Sequence, residues 1–172
     1  MGEGARQLCA RAIGVDEHDP AVDPVLAAYL AYYERHPASH AAWMPHAVEA
    51  LDALSAWPLA VCTNKPGGIA RALLASLGPL DRFACVVGAG DSPSRKPSAD
   101  PLLAVARRLA LPPASLWLVG DSPIDVATAR AAGSVAIAVP GGFSARELLE
   151  QSTPDALIAT LADLPALVRA HA

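Results

Sequence analysis

The sequence predicts an α/β protein, a parallel sheet covered by helices on both faces. Two observations carry this. Short apolar runs of four or five residues alternate with helical stretches of about three turns. One of these units, Leu116 to Gly133, spells out strand, acidic turn and helix within eighteen residues. Leu116, Trp117, Leu118 and Val119 read as a buried strand ended by Gly120. Asp121, Ser122 and Asp125 fall on the turn, and Val126 to Ala132 continues as Ala-rich helix stopped by Gly133. That is half of a βαβ unit. In open parallel sheets ligands sit beyond the carboxyl ends of the strands, so these carboxylates lie where chemistry is expected. Two carboxylates four residues apart beside a hydroxyl form a hard oxygen site suited to Mg²⁺, although Asp or Ser before a helix also serves as a plain N-cap.

The elements follow in order. Gly4 to Ile13 reads as a short helix, and Gly14 to Pro24 as an acidic linker. Val25 to Arg35 carries Leu26, Tyr29, Leu30 and Tyr33 at helical spacing, with the tyrosines read as packing residues. His36, His40 and His46 read as loop histidines, since Pro37 spoils a helical metal pair and no Cys or Glu completes a zinc set. Pro45 opens a helix carrying Ala47, Val48, Leu51 and Leu54 on one face. Pro58 to Cys62 is a strand ending in Thr63-Asn64-Lys65-Pro66-Gly67-Gly68, and Ile69 to Leu77 a helix closed by Gly78. Phe83 to Val87 reads as strand, Gly88 to Ser98 as a polar loop holding Lys96, and Ala99 to Leu109 as helix. After the central unit come strand Val135 to Val139, helix Ala145 to Glu150, strand Ala156 to Ala159 and a terminal helix Leu161 to Ala170.

Composition narrows the function classes. The 172 residues are 53% hydrophobic and 17% charged, the balance of a folded chain able to bury a core. Net charge is −4 and no Lys/Arg cluster occurs, which argues against a nucleic-acid partner. Mean hydropathy is +0.31, yet no uncharged apolar run reaches membrane-spanning length. The first residues lack a signal-peptide core and the myristoylation pattern. Cys9, Cys62 and Cys85 show no CxxC spacing and read as buried small hydrophobes of a reducing compartment, which makes a cytoplasmic location the expectation.

Three strand ends then converge on one rim. One offers Thr63 and Asn64, the next loop Lys96, and the third Asp121 with Asp125. Hydroxyl, amide, ammonium and a carboxylate pair are what a phosphoryl group with Mg²⁺ requires. Lys65 and Lys96 are the only lysines, in a chain that otherwise uses arginine, which suggests a point-charge role at both positions.

At this point the chain resembles the haloacid-dehalogenase superfamily of phosphohydrolases, within it the phosphoglycolate phosphatase-like group. AVCTNKP is similar to the second motif of that family, Lys96-Pro97 in RKPSADP to the third, and VGDSPIDVATARAAG to the fourth, while TPDALIATLADLPALV resembles its C-terminal segment. The resemblance implies a Rossmann-like core over 45–172 and the remainder of a helical cap over 1–44. It implies that Thr63 and Lys96 bind the phosphoryl group with Asn64 in support, that Asp121 ligates Mg²⁺, and that Asp125 sits in or just outside its shell. The implied reaction is Mg²⁺-dependent hydrolysis of a small phosphorylated metabolite, 2-phosphoglycolate by family likeness, through an aspartyl-phosphate.

The family's first motif, an apolar strand ending DxDxT with nucleophile and general acid/base, has no counterpart. Asp16, Asp19 and Asp23 lie in a linker with no strand before them, and Asp91, in a Gly-Asp-Ser-Pro echo of the central turn, belongs to the third-motif region. An N-terminally truncated form is therefore expected, inactive by itself. A catalytically inactive phosphate/Mg²⁺-binding or structural protein is the alternative, with homo-oligomerisation open. In the family's strand order the absent strand lies between those ending at Thr63 and Asp121. The expectation is that these two pair directly, borrow a strand from another subunit, or hold a further segment between them.

Overall fold

The computed structural model describes residues 4–36, 38, 39, 41–78, 80–142 and 144–171. His40, one of the three histidines discussed above, lies outside them. Eight helices and five strands are described: α1 (Ala5–Ile13), α2 (Val22–Arg35), α3 (Ala47–Ala53), β1 (Ala60–Pro66), α4 (Gly67–Leu77), β2 (Cys85–Ala89), α5 (Asp100–Leu109), β3 (Trp117–Gly120), α6 (Pro123–Ala132), β4 (Val135–Ala138), α7 (Arg146–Gln151), β5 (Ala156–Leu157) and α8 (Leu164–Arg169). Every strand pairing among the described residues is parallel, as the alternation of elements predicts.

Local signals explain most boundaries. The Ser122 hydroxyl accepts from the Ile124 N–H at 3.2 Å and starts α6, which Gly133 ends in the left-handed region (φ 69°). Helix α2 begins three residues before the expected Val25, because the Asp19 carboxylate accepts the Ala21 N–H at 2.8 Å and organises the entry turn. Helix α3 starts at Ala47 rather than Pro45, since His46 takes φ 64°. Strand β1 runs four residues past Cys62 into what reads as loop. Pro66 pairs with Ala89 after a register shift, so tertiary pairing overrides the Asn-Lys-Pro-Gly turn signal.

The core forms on both sheet faces. Val87, Leu102, Val105, Leu118, Val126 and Leu149 make one cluster beneath α5 and α6. Leu54, Ile137, Val139, Ile158 and Leu164 make the other, beneath α3 and α8. Cys9, Ala10 and Val22 tie α1 to α2 in a separate small cluster. Of the cysteines only Cys9 is fully buried; Cys62 and Cys85 are half-buried and all three are free thiols.

One expectation is corrected. The strands do not form a continuous sheet, and β1 does not pair with β3 among the described residues. β1 and β2 make a two-stranded sheet, and β3, β4 and β5 a three-stranded one. Between them runs a groove of about 760 Å³ walled by Leu59, Val61 and Cys62 on one side and Trp117, Leu118 and Val119 on the other. Helix α5 packs on β1, β2 and α6, and so bridges the two sheets along one face. Among the described residues no helix is long and apolar enough to cross a membrane.

Candidate functional site

The ends of β1 and β3 open on a pocket of about 390 Å³. Thr63, Asn64, Lys96, Asp121 and Asp125, the five residues singled out from sequence, all line it. Three separate stretches of chain deliver them, which is the convergence that strand-end placement predicts.

A buried ion pair organises the centre. The Lys96 ammonium donates to Asp125 Oδ1 at 2.6 Å and to the Cys62 carbonyl at 3.0 Å. Both charged side chains are largely withdrawn from water, 12% exposed for Lys96 and 10% for Asp125. Asn64, itself buried, fixes the lysine's backbone with two bonds. Its Nδ2 donates to the Lys96 carbonyl at 2.9 Å, and its Oδ1 accepts the Lys96 N–H at 2.8 Å. The amide predicted to support the phosphoryl site thus works through the lysine loop. The Lys96–Pro97 peptide is cis. The Thr63 hydroxyl accepts the Lys65 N–H at 3.1 Å, which leaves its own proton available to a ligand oxygen.

Glycines let the carboxylates pack this closely. A Cβ at Gly120 would overlap the Asp125 carboxylate, and one at Gly142 the Asp121 carboxylate. Burial pushes the Cys62 thiol up to about 11. It is therefore protonated at neutral pH and offers no thiolate beside Lys96. Asp121 and Asp125 are the only carboxylates among the described lining residues, and no group of three or more His, Cys, Asp or Glu gathers there. Two carboxylates, one of them held by lysine, suit Mg²⁺, which takes one or two protein carboxylates and fills its other positions with water and phosphate.

Asp91 is not brought to this pocket. Its carboxylate accepts from Arg71 Nη1 and from the Gly88 N–H, both at 2.9 Å. The Arg71 bond first, and the backbone bond second, hold its carboxyl below the usual range. A lowered folded value means stability that is present above the ordinary carboxylate pKa of about 4 and lost as pH falls through the folded one. Urea unfolding of Asp91→Asn should accordingly show a deficit against wild type at pH 6.5 that shrinks by pH 3. A deficit independent of pH would contradict the assignment.

Sequence reasoning missed the pocket's other wall. Arg11 of α1 and Tyr29 and Tyr33 of α2 line it, and the Lys65 ammonium sits 4.3 Å from the Tyr33 ring centroid. The helical spacing of Tyr29 and Tyr33 correctly marks an amphipathic stripe, but periodicity says nothing of which surface the stripe meets.

A family model for haloacid dehalogenase-like hydrolases matches residues 1–133. The chain belongs to the haloacid dehalogenase-like hydrolases. Among relatives of this hydrolase, the phosphoglycolate phosphatase of Rhodospirillum rubrum is 42% identical over 153 residues, covering 84% of the chain and 64% of that protein. The phosphoglycolate phosphatase of Chromobacterium violaceum is 38% identical over 170 residues, covering 95% of the chain and 77% of that protein. The chain thus spans a little under two thirds of the first relative's length and more of the second's. Among solved structures, CbbY from Rhodobacter sphaeroides in complex with phosphate superposes with a TM-score of 0.77 at 25% identity, over 94% of this chain and 75% of that one. The α/β, Rossmann-like architecture of this hydrolase is that of its family.

Proposed function

We propose that this hydrolase carries the phosphate- and metal-binding machinery of a Mg²⁺-dependent phosphomonoesterase of the phosphoglycolate phosphatase type. The observation that carries the reading is the single pocket that Thr63, Asn64, Lys96, Asp121 and Asp125 share. Residues 45–172 are the phosphatase core, and α1 with α2, within 1–44, act as a cap over the pocket.

The chemistry follows from the geometry. The Thr63 hydroxyl donates to a phosphoryl oxygen, and the Lys96 ammonium, held by Asp125, presents fixed positive charge to the same group. Such preorganised donors in a water-poor site stabilise the spreading charge of phosphoryl transfer without reorganising. Asp121, with Asp125 beside it, would hold Mg²⁺. When bound, the metal neutralises phosphate charge. Covalent catalysis also needs a nucleophile, and Thr63 has no adjacent base to activate it. Asp125 is committed to Lys96 and Asp121 to the metal. These 172 residues are therefore expected to bind the phosphoryl group but not to turn it over by themselves.

Calorimetric titration tests both parts. Mg²⁺ should bind weakly to wild type and at least about tenfold more weakly to Asp121→Asn, because one charged ligand of very few is lost. Equal affinity would remove Asp121 from the site. Purified protein that hydrolyses p-nitrophenyl phosphate or 2-phosphoglycolate at ordinary enzyme rates, on the order of 1 s⁻¹ or above, would show a nucleophile that this assignment lacks.

A further inference from the structure

We infer that Lys65 and Tyr33 form a subsite for a second anionic group, a carboxylate, on a short phosphomonoester. The inference rests on the phosphate-binding reading of the same pocket. Lys96, the ammonium nearest the carboxylates, is spent on Asp125 and on the Cys62 carbonyl. Lys65 makes a different set of contacts. It is half-buried and lines the pocket, and its ammonium lies over the Tyr33 ring at 4.3 Å, with no carboxylate within ion-pair distance among the described residues. A ring face attracts a cation and excludes water without neutralising it. The net charge therefore stays available to a ligand. Arg11 on α1 lines the same pocket.

Position sets the ligand's length. Thr63 and Lys65 both line the pocket and stand two residues apart on β1, roughly 7 Å along a strand. Lysine is flexible enough to shorten that span, so the second anion lies one or two carbons from the phosphoester oxygen. A pocket of about 390 Å³ is near the small end of the usual ~300–1,000 Å³ for ligand sites, which also favours a compact ligand. A carboxylate brings one negative charge to the one ammonium of Lys65, whereas a second phosphate would bring about 1.5 to 2. The subsite joins the two halves of the structure, since Tyr33 comes from the helix pair and Lys65 from the sheet. Ligand binding would then also fix how α2 sits over the pocket.

Calorimetry in Mg²⁺ with three probes tests this: inorganic phosphate, ethyl phosphate and 2-phosphoglycolate. Wild type should bind 2-phosphoglycolate about tenfold more tightly than ethyl phosphate, the size of one partly solvated charge-assisted hydrogen bond. Lys65→Met should bring that ratio to about one while inorganic phosphate affinity changes less than about twofold. Tyr33→Leu should lower the ratio partway, and Lys65→Arg should retain most of it. Thermal melts of each variant report that the fold is intact. A ratio that survives in Lys65→Met overturns the subsite, as does a parallel loss of inorganic phosphate binding, which would place Lys65 on the phosphoryl group instead. Wild type that binds inorganic phosphate without preferring 2-phosphoglycolate overturns the subsite alone. Failure to bind inorganic phosphate overturns the phosphate-binding reading with it.

Discussion

Lys96→Met should cost the protein about 3–5 kcal/mol of stability, the penalty of stranding one partner of a buried ion pair. Both side chains of the pair are about nine-tenths withdrawn from solvent, so water cannot take over Asp125 when the ammonium is removed. The Cys62 carbonyl loses its donor as well. A domain is typically stable by only about 5–15 kcal/mol, so this single change should remove a large share of the total. Urea unfolding followed by tryptophan fluorescence reads the effect. A double variant separates structure from chemistry. Replacing the pair together, Lys96→Met with Asp125→Leu, removes both charges and should recover most of the lost stability. Phosphate binding should stay lost in both. A loss under about 1 kcal/mol in the single variant would mean that the pair behaves like a solvated surface bridge.

The second large effect is expected from one methyl group. Gly88 lies in β2 where the chain of β1 turns into α4, and a Cβ there would meet the Gly67 Cα at 2.5 Å, the Lys65 carbonyl oxygen at 2.6 Å and the Gly67 nitrogen at 2.7 Å. All three are backbone atoms, so no rotamer change relieves the clash. Gly88→Ala should therefore destabilise by about 3 kcal/mol, the upper part of the overpacking range, and should disturb Lys65 along with the strand. Gly68 is the matched control. It sits one residue further into α4 with nothing within 4 Å of the added methyl, and Gly68→Ala should stabilise by about 0.5–1 kcal/mol through helix propensity and chain entropy. Thermal melts of the two variants should move in opposite directions. Equal shifts would show that β1 and β2 can separate at Gly88 at little cost.

The parts of the fold legible in the sequence are those whose causes are local. Helix α6 is readable because Ser122, an Ala-rich interior and Gly133 specify start, body and stop within twelve residues. The end of β1 is not readable. Asn64 to Gly68 carry turn signals, and what keeps residues 63–66 extended is pairing with Ala89 some two dozen positions away. In the site, Thr63 and Asp121 announce themselves by following apolar runs in a parallel-sheet pattern, and Lys96 by being one of only two lysines in the chain. Asn64 reads as a ligand-binding amide, yet it braces the Lys96 backbone, a contact across thirty-two residues. Tyr33 and Arg11 could not be placed at all, because the docking of α1 and α2 over the strand ends depends on surfaces that no helical period encodes. Hydrogen-bond satisfaction makes direct pairing of β1 with β3 a reasonable expectation, yet among the described residues the two strands belong to separate sheets.

The groove has a mechanical consequence for the pocket. Thr63 stands on one sheet and Asp121 follows the end of a strand in another, so among the described residues no strand pairing sets the distance between them. That distance is set by α5 packing on β1, β2 and α6 and by the short reach from Lys96 to Asp125. A continuous sheet would act as a stiff plate, with every strand resisting displacement of its neighbours. Here two sheets are joined on one face through α5 and α6 and at the pocket rim through the Lys96–Asp125 contact, so the spacing across the pocket depends on side-chain packing and on that ion pair.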